Sequence, residues 1–124
     1  MRKIFKIKDI HMFDYLNSRN MKFNRSKMVI DKPIKFVNHF IWWFKNKREI
    51  FFYKINKNDK IYFYQEIIKY KNNKYLIGGW HSNSKKINLI DVLYFLKWQL
   101  KKNKKEKLKY DWVAVVKKNN IWIL

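Results

Sequence analysis

The only two glycines of the chain, Gly78 and Gly79, fall inside a β-rich apolar run, Tyr75 to Trp80, and the polar loop Ser82-Asn83-Ser84 follows directly. Glycine weakens a strand and marks a bulge or a close approach by a ligand or another backbone. Beyond the loop the period changes: Leu89, Val92, Leu93, Leu96 and Leu100 follow helical spacing, with Asn88 as a plausible N-cap and Asp91 three residues later. A strand that feeds a helix points the helix's first N–H groups past the strand's end, where they can bind an anion. Anion binding at this junction is the chemistry the spacing offers. The sequence does not point to a metal site, because cysteine is absent and His11, His39 and His81 are scattered singly.

The elements that must position the junction can be read along the chain. Ile4-Phe5-Lys6-Ile7 is a short strand candidate. Asp9 can cap a helix that carries Ile10, Phe13 and Leu16 on one side and is broken by Ser18-Arg19-Asn20. Residues 21–31 are polar and irregular. Pro33 precedes a helix from Ile34 to Lys45, expected to bury Phe36, Val37, Phe40, Ile41 and Phe44 as one broad face. Two strands follow, Glu49 to Asn56 and Ile61 to Tyr70, joined by the turn Lys57-Asn58-Asp59-Lys60, with Phe51, Phe52, Tyr62, Phe63 and Tyr64 mostly in the core. Lys71-Asn72-Asn73 is a second turn and completes an antiparallel meander of three strands. Asp111 to Lys117 is an apolar strand, parallel to its predecessor because a helix makes the crossover. The fold class is therefore α+β in three layers: a mixed, mostly antiparallel sheet of about five strands flanked by helices, in the order β-α-α-β-β-β-α-β.

Composition sets the outer limits. A chain of 124 residues, 48% hydrophobic and 19% aromatic, suits one folded domain over residues 1–124. No apolar run is long enough to span a bilayer and the basic N-terminus lacks a signal-peptide core, so the expectation is a cytoplasmic protein with no membrane partner. The net charge of +21 attracts anions of every kind. Its lysines alternate with Asn and Ile through every segment, a pattern that biased coding composition explains; only Lys101 to Lys109 is dense. The alternative is a small basic protein that binds single-stranded nucleic acid through lysines and aromatics on an exposed sheet face.

The element order resembles that of the GNAT superfamily of acyl-CoA-dependent N-acyltransferases, and local patterns support the likeness. Arg19-Asn20 followed by Arg25, then His39-x-x-Trp42-Trp43-Phe44, looks like the signatures of the branch that acetylates nucleotide-linked amino sugars, as in the pseudaminic-acid pathway. Trp98 sits where that branch often has a tryptophan. Val116-Lys117-Lys118-Asn119-Asn120 resembles the family's strand followed by an asparagine that contacts the pantetheine arm.

The resemblance implies acetyl-CoA as cofactor and a nucleotide-sugar amine as acceptor. In family terms Gly79, Trp80, Ser84, Lys85, Lys86, Asn88 and Asn120 would bind the cofactor. Arg19 and Arg25 would hold the substrate's phosphates, with His39 and Trp42 beside its nucleotide, although solvated loop arginines and core aromatics are the alternative reading. Glu66 and His81 are the candidate bases that take a proton from the amine. Two departures point to a degenerate, C-terminally truncated member. The family's pyrophosphate loop carries two glycines, where this chain has Ser84-Lys85-Lys86-Ile87-Asn88-Leu89. The family also continues with another helix, which commonly carries a thiolate-protonating tyrosine, and two strands. The edge left open on the last strand can be covered by a second copy, with Trp112 and Trp122 in the contact of a homodimer.

Overall fold

The computed structural model describes residues 3–28, 31–106 and 110–114. Its elements are β1 (Lys3–Lys6), a 3-10 turn (Asp9–His11), α1 (Met12–Asn20), a single turn α2 (Lys22–Arg25), α3 (Phe36–Lys45), β2 (Glu49–Lys54), β3 (Lys60–Tyr70), β4 (Asn73–Ser82), α4 (Leu89–Lys105) and β5 (Asp111–Ala114). The five strands form one sheet in sequence order, antiparallel throughout except for the parallel pair β4 and β5. This is the mixed, mostly antiparallel α+β arrangement that the sequence leads one to expect. The β3–β4 hairpin turns through Lys71 and Asn72, both with positive φ (47° and 67°), the backbone that two-residue hairpin loops need.

Strand alternation divides the sheet's side chains into two cores. Ile50, Phe52 and Tyr62 face α1 and α3 and pack with Met12, Tyr15 and Trp43. Phe51, Tyr53, Ile61 and Phe63 face α4 and pack with Phe95. Phe51, Phe52, Tyr53, Tyr62 and Phe63 are therefore covered, each by the helix on its own side of the sheet, and none of them offers the open aromatic face that the nucleic-acid alternative requires; Tyr70, at the end of β3, is exposed.

Three helices turn differently from the expectation. In α3 the inward side belongs to His39 and Trp43, while Phe36, Val37, Phe40, Ile41 and Phe44 are exposed. The helix is apolar almost all round, so periodicity alone leaves its rotation undetermined; two polar contacts set it. His39 Nε2 lies 3.2 Å from the Met12 carbonyl oxygen, and Trp43 Nε1 donates to Asp9 Oδ1 at 2.9 Å. In α1 the helix runs through Ser18-Arg19-Asn20, because Ser18 is buried and bonded to His81; Tyr15 and Leu16 face inward, whereas Ile10 and Phe13 are exposed. In α4 the buried row is Asp91, Phe95, Gln99 and Asn103, at four-residue spacing, while Leu89, Leu93 and Leu100 are exposed.

Candidate functional site

The junction after β4 is built as its sequence suggests. β4 pairs in parallel with β5 over Tyr75 to Gly78, and its Gly79 to Ser82 pair antiparallel with Ile61–Tyr64 of β3. Asn83 ties the loop down: its Oδ1 accepts from the Lys60 amide at 2.8 Å and its Nδ2 donates to the Asn58 carbonyl at 2.8 Å. Asn88 caps α4, its Oδ1 accepting from the Asp91 amide at 3.0 Å. Within the loop the amides of Ser84 and Lys86 donate to the Ser82 and Ser84 hydroxyls at 3.0 and 3.1 Å. Those donors are already occupied. Donors that an anion could meet here include the Leu89 and Ile90 amides, which have no intrahelical partner, and the exposed Lys85 and Lys86. A pyrophosphate here would be met by charge and a helix end, a weaker cradle than a nest of backbone amides.

On the α1–α3 side of the sheet, Tyr64 lies across Gly79. A Cβ on Gly79 would meet the Tyr64 hydroxyl oxygen at 2.5 Å and its ring at 2.7 Å, so the glycine serves a close approach. Gly78 does the same on the opposite face, where a Cβ would meet the Trp112 indole nitrogen at 2.8 Å. The Arg48 guanidinium stacks on the Tyr64 ring at 3.8 Å and reaches the Trp42 ring at 5.4 Å, and it pairs with Glu66 at 3.7 Å. Gly79→Ala would push the Tyr64 ring out from under Arg48. We expect it to lower stability by about 1–3 kcal/mol, read from the urea midpoint; an unchanged midpoint would mean the ring swings clear without loss.

Tyr15 closes the inner side of this cluster, stacked at 6.1 Å on Trp42 and edge-on to His81 at 4.7 Å. Burial pushes its hydroxyl up to about 12, against the opposing pull of Arg48. Burial also pulls Arg19 below its usual range, helped by the like charges of Arg25 and Arg48. Three guanidinium groups thus meet in one field, Arg25 and Arg48 each acting on Arg19 beside Tyr15 and Tyr64. Two of them are tied to the chain: Arg19 Nη1 donates to the Lys32 carbonyl at 3.0 Å, and Arg25 Nε and Nη1 donate to the Asn20 and Asp31 carbonyls at 2.7 and 3.1 Å. Asn20 exchanges two 2.8 Å bonds with the Ile34 backbone. The Arg-Asn-Arg pattern therefore shapes the segment between α2 and α3 whatever else it binds.

His81 lies on the same face as Gly79 and is almost fully buried. Its Nδ1 is 2.8 Å from the Ser18 hydroxyl, and its Nε2 has no hydrogen-bond partner among the described groups. Burial, followed by the charges of Arg19, Arg48 and His39, pushes the ring's pKa down to about 3. His39 is also lowered by burial. Glu66 is partly exposed at its ion pair with Arg48.

The structure brings Gly79, Trp80, Ser84, Lys85, Lys86 and Asn88 together along one path from β4 to α4, and gathers Arg19 and Trp42 with Tyr15, Arg48 and Tyr64. Asn120 and Trp122 lie outside the described residues. Trp112 sits partly buried against Gly78. Arg48 and Tyr15 are not singled out by the sequence, and Tyr64 only as a core aromatic. A signal for Arg48 existed, since the chain spends arginine only at Arg2, Arg19, Arg25 and Arg48 amid a sea of lysine. Two cavities, of about 310 and 380 Å³, lie along β1 and include neither Gly79 nor the loop.

The architecture that positions this path is a GNAT-like fold. Two solved structures share it. A transcriptional regulator from Bacillus halodurans C-125 matches with a TM-score of 0.61 at 12% identity, over 97% of this chain and 85% of that one. A conserved protein of unknown function from Enterococcus faecalis V583, described as a probable N-acyltransferase, matches with a TM-score of 0.56 at 12% identity, over 86% of this chain and 27% of its own length. At these identities the likeness is one of fold. Neither a family model nor a curated protein matches the sequence.

Proposed function

We propose that the chain is an acyl-CoA-dependent N-acyltransferase whose acceptor is the amine of a nucleotide-linked amino sugar. The observation that carries this reading is the run from β4, whose Tyr75 to Gly78 pair in parallel with β5, through Gly79 and Trp80 to a loop tied down by Asn83 and a helix capped by Asn88. An extended pantetheine fits such a path, and the pyrophosphate end falls to Lys85, Lys86 and the first amides of α4. The family's asparagine contact, by resemblance, belongs to Asn120.

Acyl-CoA, when bound, supplies a thioester carbonyl to be attacked. The chain's own groups hold the acceptor and take its proton. Arg19 and Arg25, with Arg48 added, supply the positive field that two phosphates need, and Trp42 offers a partly buried ring edge with His39 behind it. Of the two candidate bases, Glu66 is within reach of solvent on the Gly79 face. His81 is enclosed, and a ring lowered to about 3 is a poor proton acceptor in that state.

Calorimetric titration of acetyl-CoA at two salt concentrations tests the reading, with a single-stranded oligonucleotide as control. The expected result is one-to-one, saturable binding. Lys85→Glu with Lys86→Glu is expected to weaken it by about tenfold or more at low salt, because screening then leaves the charge contribution largely intact. If neither salt condition gives saturation, the chain has this fold without this cofactor. A site indifferent to the lysine pair would move the pyrophosphate elsewhere.

A further inference from the structure

Helix α3, FVNHFIWWFK, is apolar almost all round but is covered on only one side. Phe36, Phe40 and Phe44 form one row and Val37 and Ile41 the next, and these five are 40%, 46%, 58%, 66% and 49% exposed respectively. α1 extends the strip: the Phe13 ring, itself exposed, stacks on Phe36 with centroids 4.6 Å apart. Contiguous apolar surface of this kind marks a partner or a membrane. Exposed Lys32, Lys35, Lys45 and Lys47 flank the helix, against the acids Asp14 and Asp31.

Charge and side-chain chemistry together select the occupant. A second copy would bring two molecules of net charge +21 face to face, and like fields oppose that approach. Single-stranded nucleic acid suits the charge, but Val37, the most exposed position of the strip, and its neighbour Ile41 have no π face on which a base can stack. An anionic lipid surface suits both: phenylalanine and aliphatic side chains enter the interfacial layer while lysines extend to the phosphates. At ten residues α3 is about 15 Å long, suited to lying in the interface. No described helix is long and apolar enough to cross a membrane. We propose that the chain docks peripherally on anionic membranes, with α3 lying in the plane of the interface and its exposed apolar strip inserted.

The test is co-sedimentation of the full chain with vesicles of mixed phosphatidylcholine and phosphatidylglycerol, and with phosphatidylcholine alone. Val37→Asp with Ile41→Asp is expected to lower partition to the mixed vesicles by more than about tenfold, since two inserted apolar groups are lost. The control pair Ile67→Asp with Leu100→Asp removes exposed apolar groups elsewhere and changes net charge equally, so its partition should stay within about twofold of the parent. Far-ultraviolet circular dichroism checks folding, and Val37→Ser with Ile41→Ser, which leaves the charge alone, repeats the test more gently. Equal loss in the strip and control pairs would overturn the proposal in favour of diffuse charge. A lipid-free dimer that the strip pair dissolves would assign the face to a second copy. Loss of oligonucleotide binding in the strip pair, with vesicle binding intact, would assign it to nucleic acid.

Discussion

Lowering the pH from 7 to 4 is expected to destabilise the fold by about 3 kcal/mol through His81 alone, at roughly 1.4 kcal/mol per pH unit. The ring lies between Tyr15 and Tyr62, with Ser18 at Nδ1, and burial is the first cause of its depressed pKa of about 3, with Arg19, Arg48 and His39 adding to it. At pH 7 the ring is neutral in both states and pH has no purchase. Below the ordinary value of 6.5 the unfolded chain takes up a proton that the folded chain refuses, so the unfolded state binds more protons and stability falls. The loss accumulates from pH 6.5 to about 3 and then stops. His39, lowered by burial, acts in the same direction. Exposed carboxylates add their own acid dependence, so the informative quantity is a difference between proteins. His81→Gln keeps a polar partner for Ser18 and cannot titrate. Urea midpoints from pH 7 to 4 should fall more steeply for the parent than for His81→Gln; parallel slopes would mean the buried ring is protonated or rehydrated without penalty.

The strands and their order were legible because their information is local. Alternating aromatics in β2 and β3, turn residues between them and a helical period after Asn88 each act over a few residues, and the parallel β4–β5 pair follows from the α4 crossover. The rotation of the helices was not legible. α3 offers apolar side chains nearly all round, and its inward face is chosen by Asp9 and the Met12 carbonyl, more than 25 residues away in sequence. The site shows the same division. The path from Gly79 to Asn88 is contiguous and could be read, whereas Arg48 joins Tyr64 and Trp42 only once α3 and β2 have packed.

The row that holds α4 to the sheet carries the other large effect. Gln65, 2% exposed in β3, uses all of its amide: Nε2 donates to Glu49 Oε1 at 2.7 Å and to Asn103 Oδ1 at 2.9 Å, and Oε1 accepts from Gln99 and Asn103 at 3.0 Å each. Gln65→Leu fills similar space but leaves the Gln99 and Asn103 amides buried without it. We expect a loss of about 3 kcal/mol or more, since each stranded buried polar group costs about 1–3 kcal/mol. Glu49 is cushioned, because Lys102 lies 3.4 Å away and the carboxylate is partly exposed. The asymmetry of hydrogen bonding then makes a sharper demand: Gln65→Leu, Gln99→Leu and Asn103→Leu together remove every stranded partner and should recover most of the lost stability. A triple variant as unstable as the single one would mean that the network sets the position of α4 and that apolar packing cannot replace it. In that case acetyl-CoA titration of the triple variant would be affected too, because the lengthwise position of α4 decides where Asn88 and the first amides meet the end of β4.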